Sequence, residues 1–227
     1  ITSNVTDIAT NATGIATNVT NIATNTSAIS TLNDTTLANF TSEARVYFDA
    51  SGNTGVGEAS LGNTSGTNNI AFGLSTLSSS TSGSDNVAVG SNALTSNSSG
   101  DQNTAVGSYV LTSNTTGFNN VAFGYNALYS NETGAANTAV GTNSLYFNTG
   151  TGNTATGQGA LYNNTTGEYN LALGYRAGYN SDGDNNVYIG NEAGYSETGS
   201  NKLYISNSQT SNLITGDFST GDLSLGQ

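Results

Sequence analysis

Isoleucine recurs every seven residues at the start of the chain, at Ile1, Ile8, Ile15, Ile22 and Ile29. Val5, Ala12, Val19 and Thr26 stand four residues after each of the first four. This 4-3 spacing is an a/d seam with Ile at d and mostly Val or Ala at a, and it predicts a helical stalk over residues 1–33. Nearly every other position there is Thr, Ser, Asn, Ala, Asp or Gly, a set of mediocre to poor helix formers. A lone helix of this composition is unstable in water, so the stripe needs partner chains to cover it. β-Branched residues at both seam positions favour three strands over two, and the expectation is a trimeric coiled coil. A flexible Thr/Asn linker would not place five isoleucines in register.

From Asn53 onward a different pattern takes over. Nine times an Asn stands four residues before a Gly, at Asn53–Gly57, Asn69–Gly73, Asn86–Gly90, Asn103–Gly107, Asn120–Gly124, Asn137–Gly141, Asn153–Gly157, Asn170–Gly174 and Asn186–Gly190. Successive glycines are sixteen or seventeen residues apart, a fixed period that marks a solenoid. A second glycine sits seven residues before each of the last eight, from Gly66 to Gly183, so the variation in period falls between the two glycines of a coil. A surface turn there can absorb an insertion without shifting strand register. At ~4.8 Å per coil, nine coils span roughly 43 Å. At ~1.5 Å per residue the stalk adds about 50 Å.

Each coil offers two apolar stretches that read as strands. One is Asn-x-Ala-Val, as in NVAVG at 86–90; the other is of the Ala-Leu-Tyr type, as at Ala127-Leu128-Tyr129. Ala88 and its neighbours Val87 and Val89 point to opposite faces, and both directions are apolar. One face is expected to line a narrow interior and the other to meet a neighbouring chain. The in-register Asn residues predict a hydrogen-bonded ladder between stacked coils more readily than a ligand site. The recurrent tyrosines Tyr125, Tyr129, Tyr146, Tyr162, Tyr175 and Tyr179 are expected to pack between coils or chains, with surface binding to sugars or proteins as the sharper alternative.

Residues 34–52 read as a neck or N-terminal cap, with Arg45-Val-Tyr-Phe-Asp as an entering strand. The β-roll fills 53–200, and 201–227 reads as a C-terminal β cap that closes the open end. The two ends share a loose motif, DASGNTGVG at 49–57 and DFSTGDLSLG at 217–226.

Composition narrows the chemistry. There is no His, Cys, Met, Trp or Pro, and only 8% of residues are charged. Imidazole and thiol chemistry, nitrogen or sulfur metal ligation and disulfides are therefore excluded. The net charge of −12 arises from single acidic residues set against three cations, Arg45, Arg176 and Lys202. Without a basic patch, nucleic acid and anionic membrane surfaces are poor partners. No apolar run is long enough for a transmembrane helix. A sequence without Met reads as an excerpt or processed piece of a longer chain. Asp182-Gly183-Asp184-Asn185 could clip a calcium ion but departs from the EF-hand pattern, so no cofactor or metal is expected. Asn-x-Ser/Thr sequons are numerous, including those at Asn4, Asn11, Asn18, Asn25, Asn114 and Asn164, and in a secretory setting they would carry glycans.

The repeats NTAVGSYVLTSNTTGFNNVAFGYNALYSNETG resemble the head repeats of YadA-like trimeric autotransporter adhesins, and are closer still to related repeats in phage and viral tail fibres. The ending NKLYISNSQTSNLITGDFSTGDLSLG resembles the segment that precedes an intramolecular chaperone in such fibres. The resemblance implies an all-β repeat fold, a trimeric left-handed parallel β-roll following the coiled-coil stalk. It also implies an extracellular fibre on a cell or virion surface that attaches to a surface, host receptor or neighbouring cell. The unit of sixteen or seventeen residues is longer than the adhesin-head repeat. A purely architectural spacer and an ice-binding solenoid are the competing readings. The residue after each repeat Asn alternates irregularly among Thr, Val, Ile and Leu, too unevenly for a regular ice-matching face. No catalytic constellation is present, and the chain reads as a non-enzyme.

Overall fold

A computed structural model describes residues 2–43, 46–62 and 64–226. It divides into two units, 1–45 and 46–227.

The first unit is one α-helix, α1 (Thr2–Glu43). It runs past the expected stalk boundary at 33 and into the segment read as a neck. Along the seam, Val5, Ile8, Ile15, Val19, Ile22 and Ile29 are each 60–68% exposed within this single chain. Ile1 lies outside the described residues. The Thr hydroxyls do not reach for solvent: those of Thr10, Thr13, Thr17, Thr20, Thr24 and Thr31 donate to the carbonyl four residues back, at 3.0 Å each. Such back-bonding satisfies the hydroxyl at some cost to helix stability. The helix carries little intrinsic preference to form, and its described seam residues form an exposed apolar stripe.

The second unit is an all-β parallel solenoid. Its strands are β1 (Val46–Phe48), β2 (Thr54–Val56), β3 (Ile70–Phe72), β4 (Val87–Val89), β5 (Thr104–Val106), β6 (Val121–Phe123), β7 (Thr138–Val140), β8 (Thr154–Thr156), β9 (Leu171–Leu173), β10 (Val187–Ile189), β11 (Lys202–Ser206), β12 (Asn212–Asp217) and β13 (Asp222–Leu225). They form one thirteen-stranded sheet in sequence order. From β2 to β11 every neighbour is parallel, each one coil further along. The ends differ. β1 pairs antiparallel with β2, and β12 and β13 continue antiparallel from β11. The motif shared by the two ends is a shared turn: Asp49 Oδ1 accepts from the N–H of Ser51, and Asp217 Oδ1 from that of Ser219, each at 2.9 Å. Each carboxylate closes the hairpin that adds an antiparallel strand to an open end of the solenoid.

From β3 to β10 the central residue of each strand points inward. Ala71, Ala88, Ala105, Ala122, Ala139, Ala155 and Ala172 are fully buried and stack against Leu77, Leu94, Leu111, Leu128, Leu145 and Leu161. Those leucines sit in the stretch read from sequence as a second strand, and the structure corrects that reading. It is a turn in which left-handed residues alternate, for example Asn92 (φ 58°) and Leu94 (φ 51°). The tight corner swings the Leu side chain into the bore, so burial of the leucine offsets a φ that costs about 1–2 kcal/mol. The strand-closing glycines have no such choice. Gly90 has φ 126°, and a Cβ there would stand 2.4 Å from the Gly107 carbonyl oxygen of the next coil.

Two columns of asparagine hold the coils together from within. In the first, Asn120 Nδ2 donates to Asn103 Oδ1 (3.0 Å) and to the Gly134 carbonyl (2.9 Å), while Asn103 Oδ1 also accepts the Asn120 backbone N–H (3.1 Å). The same bonds recur from coil to coil through Asn53, Asn69, Asn86, Asn137, Asn153, Asn170 and Asn186, with only local variation. Asn97, Asn114, Asn131, Asn148 and Asn164 form the second column, equally buried. Among the described residues no buried side-chain polar atom lacks a partner. The second column also locates the variable residue in the period. Asn131 bonds to a loop glycine three residues on, Gly134, whereas Asn148 bonds to Gly150, two residues on. Short coils drop the residue just after this column, and both ladders keep their register.

Candidate functional surfaces: an uncharged sheet face and a tyrosine stack

The sheet has a second face. The strand pairings align Val87, Val89, Val121, Phe123, Leu171, Leu173, Val187 and Ile189 with their equivalents on every strand from Val46 and Phe48 to Leu223 and Leu225. In this alignment every position is Val, Ile, Leu, Phe or Thr, except Gly216, and none is charged. The inward Ala residues are sealed, but Phe72, Val89, Phe123, Val140 and Leu173 remain about two-fifths exposed. At the C-terminal end lies an open cavity of about 530 Å³ lined by Ile189, Ile205 and Leu213 together with Ser206, Ser211 and Asn212. A contiguous uncharged apolar strip of this extent is unusual on a monomeric protein.

The tyrosines fall into two groups. Tyr129, Tyr146, Tyr162 and Tyr179 all stand five residues after a strand-closing glycine, and Tyr195 joins them. Their rings stack in sequence at centroid separations of 5.1, 5.1, 4.9 and 5.0 Å, within 16° of parallel. Tyr195 extends the set of tyrosines read from the sequence, and its spacing of sixteen from Tyr179 carries the signal. Burial against neighbouring rings pushes the phenols of Tyr146 and Tyr179 up. Tyr125 and Tyr175 belong elsewhere, one residue after the glycine and well exposed. Tyr125 meets Tyr109 edge-on at 6.0 Å. Tyr175 and Tyr179 flank the Arg176 guanidinium, whose carbon lies 5.1 and 5.3 Å from their ring centres.

Other candidates resolve into structure. The Asp182 carboxylate accepts from the Thr165 hydroxyl and from the N–H groups of Thr165, Thr166 and Gly167 in the preceding coil. Burial opposes its ionisation, but these bonds win and hold its pKa below the usual carboxylate range. Asp184 likewise accepts from the Glu168 N–H. Among the described residues no group of three or more His, Cys, Asp or Glu side chains is placed to hold a metal. The six sequons named above divide sharply. Asn114 and Asn164 are inside the second ladder and closed to glycosylation, whereas Asn4, Asn11, Asn18 and Asn25 are exposed on α1. No described helix is long and apolar enough to cross a membrane.

No family model matches the chain, and no curated protein or solved structure matches it significantly.

Proposed function

We propose that this chain is a non-enzymatic subunit of an extracellular homotrimeric fibre, with a structural role and an adhesive one. The observation that carries the proposal is the uncharged sheet face, apolar on nearly every one of its strands. Its features repeat with each coil, and a partner matching that spacing throughout is another copy of the same chain. Charge supports this choice. Copies of a chain carrying −12 repel one another, and this face is free of the acidic residues that would make contact costly. The exposed seam of α1 asks for the same partner, and its β-branched composition supports a trimer. Attachment to a cell, virion or receptor surface is the function that the likeness to adhesin and tail-fibre repeats supports.

Sedimentation velocity tests the assembly. A species of three times 22.9 kDa is expected, and a stable monomer across the concentration range would overturn it. A purely architectural spacer is the second reading. In its favour, Tyr146, Tyr162 and Tyr179 each have both ring faces covered by the stack, which leaves no more than their edges to a ligand. Cell-binding and glycan-array measurements on the folded protein separate the two.

A further inference from the structure

Where the tyrosine stack begins, its pattern of covered rings breaks. The coil before Tyr129 carries Thr112 at the equivalent position, and the Thr112 hydroxyl is turned back to the Asn92 carbonyl at 3.1 Å. Tyr129 therefore has an aromatic neighbour in the stack on one side only. Around this end lies an open pocket of about 200 Å³ lined by Tyr109, Tyr125, Asn126, Tyr129 and Tyr146. Tyr109 and Tyr125 are 39% and 53% exposed, and their edge-on packing fixes the two rings at a steep angle to each other. Backbone bonds set the corner that presents them, with the N–H of Tyr109 on the Ser91 carbonyl and that of Asn126 on Ser108. The one side-chain hydrogen bond of Asn126 among the described residues runs from Nδ2 to Asn143 Oδ1 at 3.2 Å. Its own Oδ1 and second amide hydrogen are available to a ligand.

We infer that this pocket is a binding site for a neutral pyranose sugar. Aromatic surface takes the C–H face of a sugar ring, and phenol and amide groups at the rim take its hydroxyls. The volume suits one ring. No charged side chain lines the pocket, so an anionic sugar would meet no counter-charge on a chain whose net charge is −12. These residues lie in the turns after β5, β6 and β7, off the uncharged sheet face, so a sugar and a second copy of the chain need not compete. The inference deepens the adhesive reading and rests on it for its biological meaning.

Saturation-transfer NMR with methyl mannoside, methyl galactoside and N-acetylglucosamine, and with glucuronate as the anionic probe, tests the site on the full chain. At least one neutral pyranoside is expected to receive saturation. Tyr125→Ala and Asn126→Ala should each weaken its binding about tenfold, the scale of one lost central contact. Tyr169→Ala, at an exposed ring on another part of the coil, should leave it unchanged. Unaltered circular dichroism and melting of the variants separate lost binding from lost fold. No transfer to any neutral sugar, transfer to glucuronate alone, or binding indifferent to both pocket substitutions would overturn the site. Adhesion of the protein to glycan-bearing cells is read in parallel. Adhesion with no sugar binding at the pocket sinks the site and spares the adhesive reading, whereas pocket binding without adhesion does the reverse.

Discussion

The phenol oxygen of Tyr188 lies 2.8 Å from the hydroxyl of Ser181, deep inside the roll. Tyr188 takes the inward strand position that Ala172 holds one coil earlier, and Ser181 takes the place of the ladder residue Asn164. The exchange needs space, which comes from the corner. Where earlier coils carry Leu161 or Leu145, these coils carry Gly178 and Gly194, and a Cβ on either would fall within 2.5 Å of the Tyr188 ring. One large residue thus replaces the volume of two leucines, and its hydroxyl terminates the inner polar column. The next coil repeats the device closer to the surface, with Tyr204 stacked on Tyr188 at 6.0 Å and bonded to Glu197.

Compensation at this site is measurable by denaturant unfolding. Tyr188→Ala should cost about 3–5 kcal/mol through the cavity it leaves. Gly178→Leu alone should cost about 1–3 kcal/mol through overpacking, although Leu161 shows that the left-handed corner accepts leucine. Combined, they should be more stable than Tyr188→Ala alone. Simple additivity would show that the two residues do not share a volume.

Removing a rung from the middle of the first ladder should hurt more than its size suggests. Asn120→Ala orphans the buried backbone N–H of Asn137, and leaves the Gly134 carbonyl with only its bond from Asn131. At about 1–3 kcal/mol for the unsatisfied N–H and about 1 kcal/mol for the other bonds lost, the cost should reach roughly 2–4 kcal/mol. Hydrogen exchange at the Asn137 amide should accelerate well beyond that of amides at the ends of the roll.

Acid should unfold the caps before the central coils. The side-chain bond from Lys202 holds Asp217 far below the usual carboxylate range, and the bond from Asn53 lowers Asp49. A depressed folded pKa contributes stability that is present above the unfolded value of about 3.9 and is lost as pH falls toward the folded one. Stability should therefore be flat near neutrality and decline below about pH 4. Asp217→Asn should flatten that decline, as followed by urea midpoints across pH.

Alkali acts with the opposite sign. Burial, helped by the bond to Glu197, pushes Tyr204 up to about 12, and burial raises Tyr188 further still. A raised phenol pKa contributes stability that is complete below the unfolded value of about 10 and disappears as pH climbs through the folded value. Phenolate absorbance should show these two tyrosines ionising last, together with loss of the roll.

On the sheet face, Phe123→Glu should leave the single-chain fold nearly intact, because that side chain is 40% exposed within it. Assembly should fail, and sedimentation should show a lighter species. Assembly unchanged by both Phe123→Glu and Val89→Glu would place the contact elsewhere.

Much of the roll is legible in its sequence because the physics repeats. Opposite a corner leucine only a residue as small as Ala fits under the sheet, only Gly fits the strand-closing corner, and Asn satisfies itself along a column, so all three recur at fixed spacing. The corner leucines are not legible as such, because an Ala-Leu-Tyr stretch looks like a strand and the left-handed φ of Leu94 leaves no trace in composition. The second asparagine column hid for another reason. Asn114 and Asn164 also fit a glycosylation pattern, and burial alone distinguishes a ladder rung from an acceptor. Tyr129 and Tyr125 look alike along the chain, yet one is stacked and the other open, since four residues around a tight corner reverse a side chain's surroundings. The exchange of Tyr188 against Gly178 is a contact between coils that single-sequence periodicity registers only as two irregularities.

The constancy of bonding between successive coils also has a genetic consequence. Excision of residues 104–120 would join Asn103 directly to Val121-Ala122-Phe123-Gly124 and restore a complete coil at the seam, with every remaining rung facing an equivalent one. Recombination between repeats of such a gene shortens or extends its product in whole coils, in steps of ~4.8 Å. The reach of the protein is thereby a heritable quantity that can vary without a new fold having to be found.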